Sequence, residues 1–193
     1  MLFRSGAFLH LLPAGDYADF RSAVRGLGCP SQNFVFADSG DIALLHQGRL
    51  PVKYHGQGRT LLPGHDSSSE WHGFIPDSLL PFSRNPAQGW LASANQEPAD
   101  STYPFYLGAE FYPSDRAGRL HRLLEPMRSA TPASAWRIMM NSQSLHAETT
   151  LPLFLRFIDS TTVSGEARQA LHVLRAWDYR YLANAAAPAL FDL

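Results

Sequence analysis

The chain has 193 residues, of which 45% are hydrophobic, and this length is sufficient for a domain with a hydrophobic core. Its formal net charge of -1 and pI of about 6.7 give no electrostatic basis for binding nucleic acid or an anionic membrane surface. No run of about 18 apolar residues occurs, so the sequence predicts no membrane-spanning helix. Cys29 is the single cysteine, which excludes an internal disulfide and a thiolate metal cluster.

The first elements predicted in chain order are a short helix and a β-hairpin. Asp16 is a suitable cap for a helix that extends to Arg25, in which apolar residues recur near helical spacing. Residues 33–37 indicate a strand with both of its phenylalanines on one face, and residues 42–46 indicate the returning strand. The Asp, Ser and Gly residues between them are typical of a turn, so the pair is predicted to form a β-hairpin.

Glycine and proline interrupt residues 48–85 so often that irregular structure is predicted there. Such a long irregular segment is usually functional or packed against another part of a protein. Trp71, in the run Glu70-Trp71-His72-Gly73, is interpreted as a loop tryptophan packed beneath the sheet in preference to part of a catalytic site. Residues 89–94 then predict another strand.

Helical periodicity dominates the chain after residue 115. Helices are predicted over residues 116–125, from Pro132 onward, near Pro152, and over residues 166–177. Thr131 is a suitable N-cap for the second of these, since proline is favoured at the first helical position. Sheet elements followed by helices predict the α+β class, and the chain, 1–193, is interpreted as one incomplete domain.

Several familiar site motifs are absent from the sequence. The eight histidines include no His-x-x-x-His pair and none at zinc spacing from the cysteine, so scattered surface or core histidines are preferred to a metal site. Gly56-Gln57-Gly58 lacks the third glycine of a dinucleotide-binding turn. No Walker A motif or Gly-x-Ser-x-Gly occurs. No spacing supports an independent Ser-His-Asp hydrolase, which is the least favoured alternative.

Two residues suit the chemistry of acyl transfer. Asn95 closes the strand predicted at 89–94, and a side-chain amide fixed there can donate hydrogen bonds to the negative charge that develops on a carbonyl oxygen. Arg116 opens a predicted helix, where it can hold such an amide in position or pair with Asp115. Taken alone, Asn95 is more often a turn residue and Arg116 a surface residue.

An ordered series of motifs supplies further support. Asn33-Phe34-Val35-Phe36-Ala37-Asp38, with Gly40 and Ile42, resembles the Asn-x-x-Tyr-Ala-Asp-x-x-Gly-x-Ile hairpin of the penicillin acylase family. Later motifs of the family follow in the same order: Gly48-x-x-Pro51, Pro63-Gly64, Glu70-Trp71-His72-Gly73-Phe74-Ile75-Pro76, Leu80-Pro81, Asn85-Pro86-x-x-Gly89, Ala92-x-Ala94-Asn95-Gln96, Tyr103-Pro104, Asp115-Arg116-x-x-Arg119-Leu120 and Leu174-x-x-Trp177-Asp178. Each motif is weak alone, but the ordered set is specific and covers the chain from about Gly6 onward.

The resemblance implies a segment of an N-terminal-nucleophile hydrolase with a four-layer αββα core. In this family a precursor cleaves itself to expose a serine at the start of the large chain, and the α-amino group of that serine acts as the base. The acyl group of an amide passes to the serine and then to water. Substrates across the family include β-lactam side-chain amides and acyl-homoserine lactones, so the expected substrate is a small-molecule amide with a non-peptide C–N bond.

The resemblance also carries two roles to matching positions. Asn95 matches the asparagine whose side chain donates to the oxyanion, and Arg116 matches the arginine that steadies that asparagine. The nucleophile, the processing site and the second oxyanion donor lie upstream in the family. The expected partners are therefore the N-terminal part of the large chain and the small chain, and the isolated chain is expected to be inactive. Periplasmic localisation is implied by many family members in Gram-negative bacteria.

Two positions depart from the family pattern. Gln96 stands where many members have a second asparagine. Leu107 falls near the position where calcium-binding members place an aspartate ligand. Because a leucine side chain cannot coordinate calcium, no metal and no other cofactor is predicted.

The chain is interpreted as the C-terminal part of an acylase large chain. Leu2-Phe3-Arg4-Ser5 matches the tetrapeptide that a widely used sequencing-library adapter would encode, so residues 1–5 are hypothesised to be an assembly artefact. The alternative is a non-catalytic binding or structural module, which would need another chain to cover the edges of its sheet.

Overall fold

The computed structural model describes residues 3–111 and 113–193. These residues form two compact units, the first unit before Pro113 and the second unit over Pro113–Leu193. Residues 1 and 2, with which the suspected assembly artefact begins, lie outside the described residues. The assignment of the whole chain to a single incomplete domain stays a prediction.

The first unit begins with two helices, α1 (Phe3–Leu11) and α2 (Tyr17–Val24). The Asp16 side chain accepts a hydrogen bond from the N–H of Asp19 at 2.9 Å, which confirms Asp16 as the N-cap of α2. Helix α1 is not among the predicted elements, because its apolar residues are distributed around the helix and show little periodicity.

The sheet of the first unit has three antiparallel strands in the order β1-β2-β3: β1 (Gln32–Ala37), β2 (Ile42–Gln47) and β3 (Phe82–Arg84). The predicted β-hairpin is confirmed. Asp38 closes its turn by accepting hydrogen bonds from the N–H groups of Gly40 and Asp41, both at 2.7 Å. Strand β3 was not predicted, because three residues are too few to show a period and only pairing with β2 defines them.

One face of the sheet packs against α2 and forms the core of the first unit. Phe20 and Val24 of α2 are buried against Ala43 and Leu45 of β2, and both phenylalanines of β1 pack on this cluster, as the strand alternation predicts. Full burial of such side chains typically contributes about 1.5–3 kcal/mol each. Val35 lies between the two phenylalanines, points to the opposite face and is 66% exposed.

The chain between β2 and β3 is irregular, as predicted, apart from two short 3-10 turns at Ser67–Ser69 and Asp77–Leu79. The interpretation of Trp71 is wrong. Its side chain is 58% exposed and contacts the ring of Phe74, with the ring centroids 6.4 Å apart. Backbone hydrogen bonds from His72 to Val52 and from Val52 to Gly73 hold this loop against the chain beyond β2, and they leave the tryptophan on the outside.

The second unit is helical and contains α3 (Asp115–Leu124), α4 (Pro132–Met139), α5 (Leu145–Phe157), α6 (Gly165–Arg175) and α7 (Ala186–Asp192). The predicted helices are confirmed, with Thr131 as N-cap and Pro132 in the first turn of α4. Pro152 lies inside α5. Helix α7 was not predicted, because its short, alanine-rich sequence carries no clear apolar stripe.

Trp177 lies at the centre of the core of the second unit. Its side chain is buried with Ala147 and Leu151 of α5 and Ala187 of α7. The indole N–H donates to the carbonyl of Arg180 at 2.9 Å, so the one polar atom of this side chain is satisfied.

The helices and the antiparallel sheet together confirm the predicted α+β class. Within the part of the chain that the structure describes, no helix combines the length and the apolar character needed to cross a membrane.

Gly48 tests the packing between the end of β2 and the segment before β1. A Cβ atom on Gly48 would lie 2.7 Å from both the Cα and the Cβ of Ser31, which is closer than real Cβ contacts. Because the backbone at Ser31 would have to move, we expect Gly48→Ala to lower the free energy of unfolding by about 2 kcal/mol or more. Urea unfolding of the 193-residue chain, followed by tryptophan fluorescence, measures the change.

Gly64→Ala is the matched control for this prediction. A Cβ on Gly64 would meet no atom within 4 Å, so the free energy of unfolding should change by less than about 0.5 kcal/mol. Equal stabilities of the two variants would contradict the close approach of Gly48 to Ser31.

Candidate active site

Asn95 lies in the first unit, in a loop of residues 92–96 that is called the Asn95 loop below. The prediction of a strand over residues 89–94 is wrong, because these residues join no strand ladder. Gly89 has φ of 74° and Asn95 has φ of 66°, and both values fall in the left-handed region, which interrupts extended structure. Asparagine tolerates this region better than most residues, and Asn95 is exposed.

The side chain of Gln96 holds the Asn95 loop in this shape. Its Oε1 accepts a hydrogen bond from the N–H of Ala94 at 2.7 Å, and its Nε2 donates to the carbonyl of Ala92 at 3.5 Å. These backbone groups are therefore occupied within the loop and are not available for pairing in a strand. The glutamine that departs from the family pattern therefore has a local structural role.

A second side-chain amide joins the Asn95 loop to the sheet. Asn33 of β1 is paired in the strand register with His46 of β2. The Asn33 Nδ2 donates to the Oγ of Ser93 at 2.7 Å, and the Asn33 Oδ1 lies 2.7 Å from the Nδ1 of His46. Burial lowers the pKa of His46, which favours the neutral ring at pH 7. This chain of contacts ends two residues before Asn95.

Asp41 is the centre of another polar cluster in the first unit. Arg84 donates two hydrogen bonds to the Asp41 carboxylate, at 2.7 and 3.1 Å, and its Cζ lies 4.2 Å from the centroid of the Tyr17 ring. The Asn85 side chain donates to Asp41 and accepts a hydrogen bond from the N–H of Ile42 at 2.9 Å. The hydrogen bonds from Arg84 and Asn85 lower the pKa of Asp41. This cluster connects β3 and the following turn to the hairpin.

Arg116 lies in the second unit, where it is the second residue of α3 and is exposed. Arg119, one turn further along α3, is half-buried and donates to the Oδ1 of Asn141 at 3.0 Å and to the Oε1 of Gln143 at 2.7 Å. These contacts tie α3 to the segment before α5, so packing accounts for Arg119. Arg116 and Asn95 belong to different units, and the contact between them that the resemblance implies stays a prediction.

The residues around Leu107 do not fit a calcium site. Among residues 3–111 and 113–193, no group of three His, Cys, Asp or Glu side chains is placed to hold a metal ion. The carbonyl of Leu107 instead accepts a hydrogen bond from the Nζ of Lys53 at 3.4 Å. Because an ammonium group beside this carbonyl repels a second cation, we assign no chemical step to a metal.

The fold of the chain is similar to part of a solved acylase structure. A thermostable penicillin G acylase from Alcaligenes faecalis superimposes with a TM-score of 0.69 over 98% of this chain and 36% of that chain, at 23% sequence identity. At this identity the likeness shows the fold alone, which this chain shares with part of that acylase.

The family is established by sequence. The penicillin amidase family model matches residues 4–193, so the chain belongs to the penicillin amidase family. Relatives include the acyl-homoserine lactone acylase QuiP of Pseudomonas fluorescens, 28% identical over 97% of this chain and 24% of the relative. The penicillin acylase 2 proenzyme of a Pseudomonas species is 29% identical over 93% of this chain and 23% of the relative. The chain thus spans about a quarter of the length of these curated relatives.

Sequence reasoning missed three residues that hold the Asn95 loop. The sequence marks Asn33 only by its place in a motif, and it assigns no role to His46 or Ser93. The hairpin register could have paired Asn33 with His46, since both stand on the outward face of two apolar strands. No local signal could have found Ser93, because it is 60 residues from Asn33 in the chain.

Asp41 gives the first unit an acid-sensitive contact. The pKa of Asp41 in the folded chain is lower than the ordinary value of about 4 that it has in the unfolded chain. The contact therefore stabilises the folded chain fully above about pH 4, and this stabilisation is lost as the pH falls through the pKa of the folded chain. We expect Asp41→Asn to lower the melting temperature at neutral pH and to flatten the decline of the melting temperature below about pH 4. Thermal unfolding followed by circular dichroism measures both effects.

Arg84→Gln is the matched variant, because it removes the other partner of the same ion pair. Its melting temperature should fall below about pH 4 as gently as that of Asp41→Asn. If the melting temperature of Asp41→Asn falls below about pH 4 as steeply as that of the unchanged chain, the assignment of this contact is wrong.

Proposed function

We propose that this chain is part of an acylase that hydrolyses the non-peptide C–N amide bond of a small molecule, of the penicillin or acyl-homoserine lactone type. Membership of the penicillin amidase family supports the class of reaction, and the relatives are named as acylases of these two kinds. The single observation that carries the assignment to a residue is the placement of Asn95, exposed at left-handed φ between two side-chain amides that hold its loop.

In this proposal the nucleophile is the N-terminal serine of a large chain and lies outside these residues. Its α-amino group takes the hydroxyl proton as the serine attacks the amide carbonyl. The carbonyl oxygen becomes negatively charged, and the Nδ2 of Asn95 donates a hydrogen bond to it. The α-ammonium group gives that proton to the amide nitrogen as the C–N bond breaks, so the amine leaves, and water then releases the acyl group from the serine as a carboxylic acid. Arg116 has the role of positioning Asn95.

The same proposal assigns the β1-β2-β3 sheet to one layer of an αββα core. Helix α2 covers one face of the sheet, whereas Val35 stands 66% exposed on the other face, beside the half-buried Ile42 and Leu44. Apolar residues exposed beside the polar contacts on this face are typical of a surface that packs against another layer. The rest of the acylase supplies that layer in the proposal.

Exposed apolar side chains in the second unit support a missing partner as well. Trp136 is 60% exposed and Phe157 is 89% exposed. Exposed aromatic side chains of this size are candidates for contact with another part of a protein. Together with the quarter-length coverage of the relatives, they favour a piece of a larger enzyme.

The DNA upstream of the codon for Met1 tests the fragment proposal directly. We expect an open reading frame that encodes a Gly-Ser-type processing site, with the serine at the start of a family-like strand. An in-frame stop codon followed by a ribosome-binding site would overturn the fragment proposal, and it would support the alternative of a separately made module that pairs with another chain.

The role of Asn95 predicts a kinetic effect in the complete acylase. We expect Asn95→Ala to lower kcat by about 10²–10³ with little change in KM, because the hydrogen bond forms only as the oxyanion develops. Asn95→Asp should be at least as impaired, since its carboxylate repels the oxyanion. Steady-state amide hydrolysis measures both variants.

Asn184→Ala is the control for this experiment, because Asn184 is also an exposed asparagine. It should leave kcat and KM unchanged. Unchanged turnover in Asn95→Ala would remove Asn95 from the site.

A further inference from the structure

The sheet and the Asn95 loop are connected by a short series of polar side chains that no catalytic step uses. It consists of His46, Asn33 and Ser93, with contacts of 2.7 Å between His46 Nδ1 and Asn33 Oδ1 and of 2.7 Å between Asn33 Nδ2 and Ser93 Oγ. From these contacts we infer that Asn33 is a positioning residue of the acylase, which fixes the Asn95 loop so that Asn95 meets the oxyanion. This inference rests on the proposed function of Asn95.

The Asn33 carboxamide has a hydrogen-bond partner on each side. Its Nδ2 can only donate, and it donates to the hydroxyl oxygen of Ser93. Its Oδ1 can only accept, so the Nδ1 of His46 must carry the proton. Burial lowers the pKa of His46 and so favours the neutral ring, in which this contact uses the proton on Nδ1. In this arrangement the carboxamide uses its acceptor toward His46 and its donor toward Ser93.

The backbone beneath Asn33 is a hydrogen-bonded strand ladder, whereas the residues that it holds form a loop. Asn33 lies in β1 directly opposite His46 of β2, so both side chains project from the same antiparallel strand pair. The other face of the same ladder is packed against α2. A contact that starts from such an element can define the position of a loop more closely than contacts within the loop itself.

The Asn95 loop is held at both ends by amides. Asn33 holds Ser93 from outside the loop, and Gln96 bonds to the N–H of Ala94 and the carbonyl of Ala92 from within it. Between these contacts Ala94 is 5% exposed, and Asn95 follows at φ of 66°. A displacement of about 1 Å at a group that binds the transition state can cost up to about 100-fold in rate. The contact at Ser93 is therefore placed to affect catalysis through Asn95.

The first measurement uses the 193-residue chain and needs no activity. Amide hydrogen exchange at Ala94 reports whether the loop is held, since its N–H is bonded within the loop. We expect Asn33→Leu, which removes both polar contacts at similar volume, to speed this exchange at least tenfold. Val35→Ala, an exposed position on the same face of β1, is the matched control and should leave it within twofold. If the exchange rate at Ala94 in Asn33→Leu stays within twofold of the rate in the unchanged chain, the inference is overturned.

The second measurement uses the complete acylase and separates positioning from simple stabilisation. We expect Asn33→Leu to lower kcat by about 10- to 100-fold with KM within twofold, after the concentration of active sites has been titrated with a sulfonyl fluoride. Asn33→Asp should restore activity to within about fivefold, because both carboxylate oxygens can accept hydrogen bonds, from His46 and from the Ser93 hydroxyl. A contact that only stabilises the fold would leave kcat per active site unchanged, and that result would overturn the inference.

A double variant shows whether Asn33 acts through Asn95. If it does, Asn33→Leu combined with Asn95→Ala should be no slower than Asn95→Ala alone. A further tenfold loss in the double variant would overturn the inference while leaving the role of Asn95 intact. If Asn95→Ala alone has no effect, the proposed function of Asn95 fails first, so the two failures are distinguishable.

Ser93→Ala covers the case in which Asn33→Leu does not fold. It removes the acceptor at the loop end and leaves Asn33 and His46 in place. Exchange at Ala94 should again rise at least tenfold, and kcat should fall by about 10-fold or more. A Ser93→Ala enzyme with unchanged exchange and unchanged kcat would overturn the inference.

Discussion

The pairing of β1 with β2 is the constraint on which the first unit depends. Antiparallel pairing sends successive side chains to opposite faces, so it separates the residues that build the core from those that are available for a site. On one face Phe20 and Val24 of α2 pack against the hairpin. On the other face Asn33 lies opposite His46 and reaches the Asn95 loop. A register shift of one residue would exchange the two faces and lose both the core and the polar contacts.

Several residues that identify the family have local structural roles in this chain. Asn85 bonds both Asp41 and the N–H of Ile42, and it connects the turn after β3 to the hairpin. Gly48 permits an approach to Ser31 that a side chain would prevent. Such residues explain why an ordered set of weak motifs is specific: each one satisfies a separate requirement of the same backbone.

The elements with a clear period were predictable from sequence, and the rest were defined by contacts distant in the chain. The alternation in the hairpin and the capped starts of α2 and α4 gave correct predictions, because the determining residues lie within a few positions of one another. Strand β3 exists only because β2 pairs with it. The apolar residues before Asn95 suggested a strand, but the Gln96 side chain binds the backbone groups that a strand would use. Asn95 was selected from its chemistry and family position, whereas its support by Asn33 depended on a contact across 60 residues.

The contact between Lys53 and the carbonyl of Leu107 has a practical consequence for attaching this chain to a surface. Lys53 is the only lysine in the sequence, so it is the only side-chain amine that aldehyde or active-ester reagents can modify. Coupling through side chains therefore yields a single point of attachment to a support. The modified nitrogen would also lose its charge or its donor geometry, and the Leu107 carbonyl would then turn to water for its hydrogen bond.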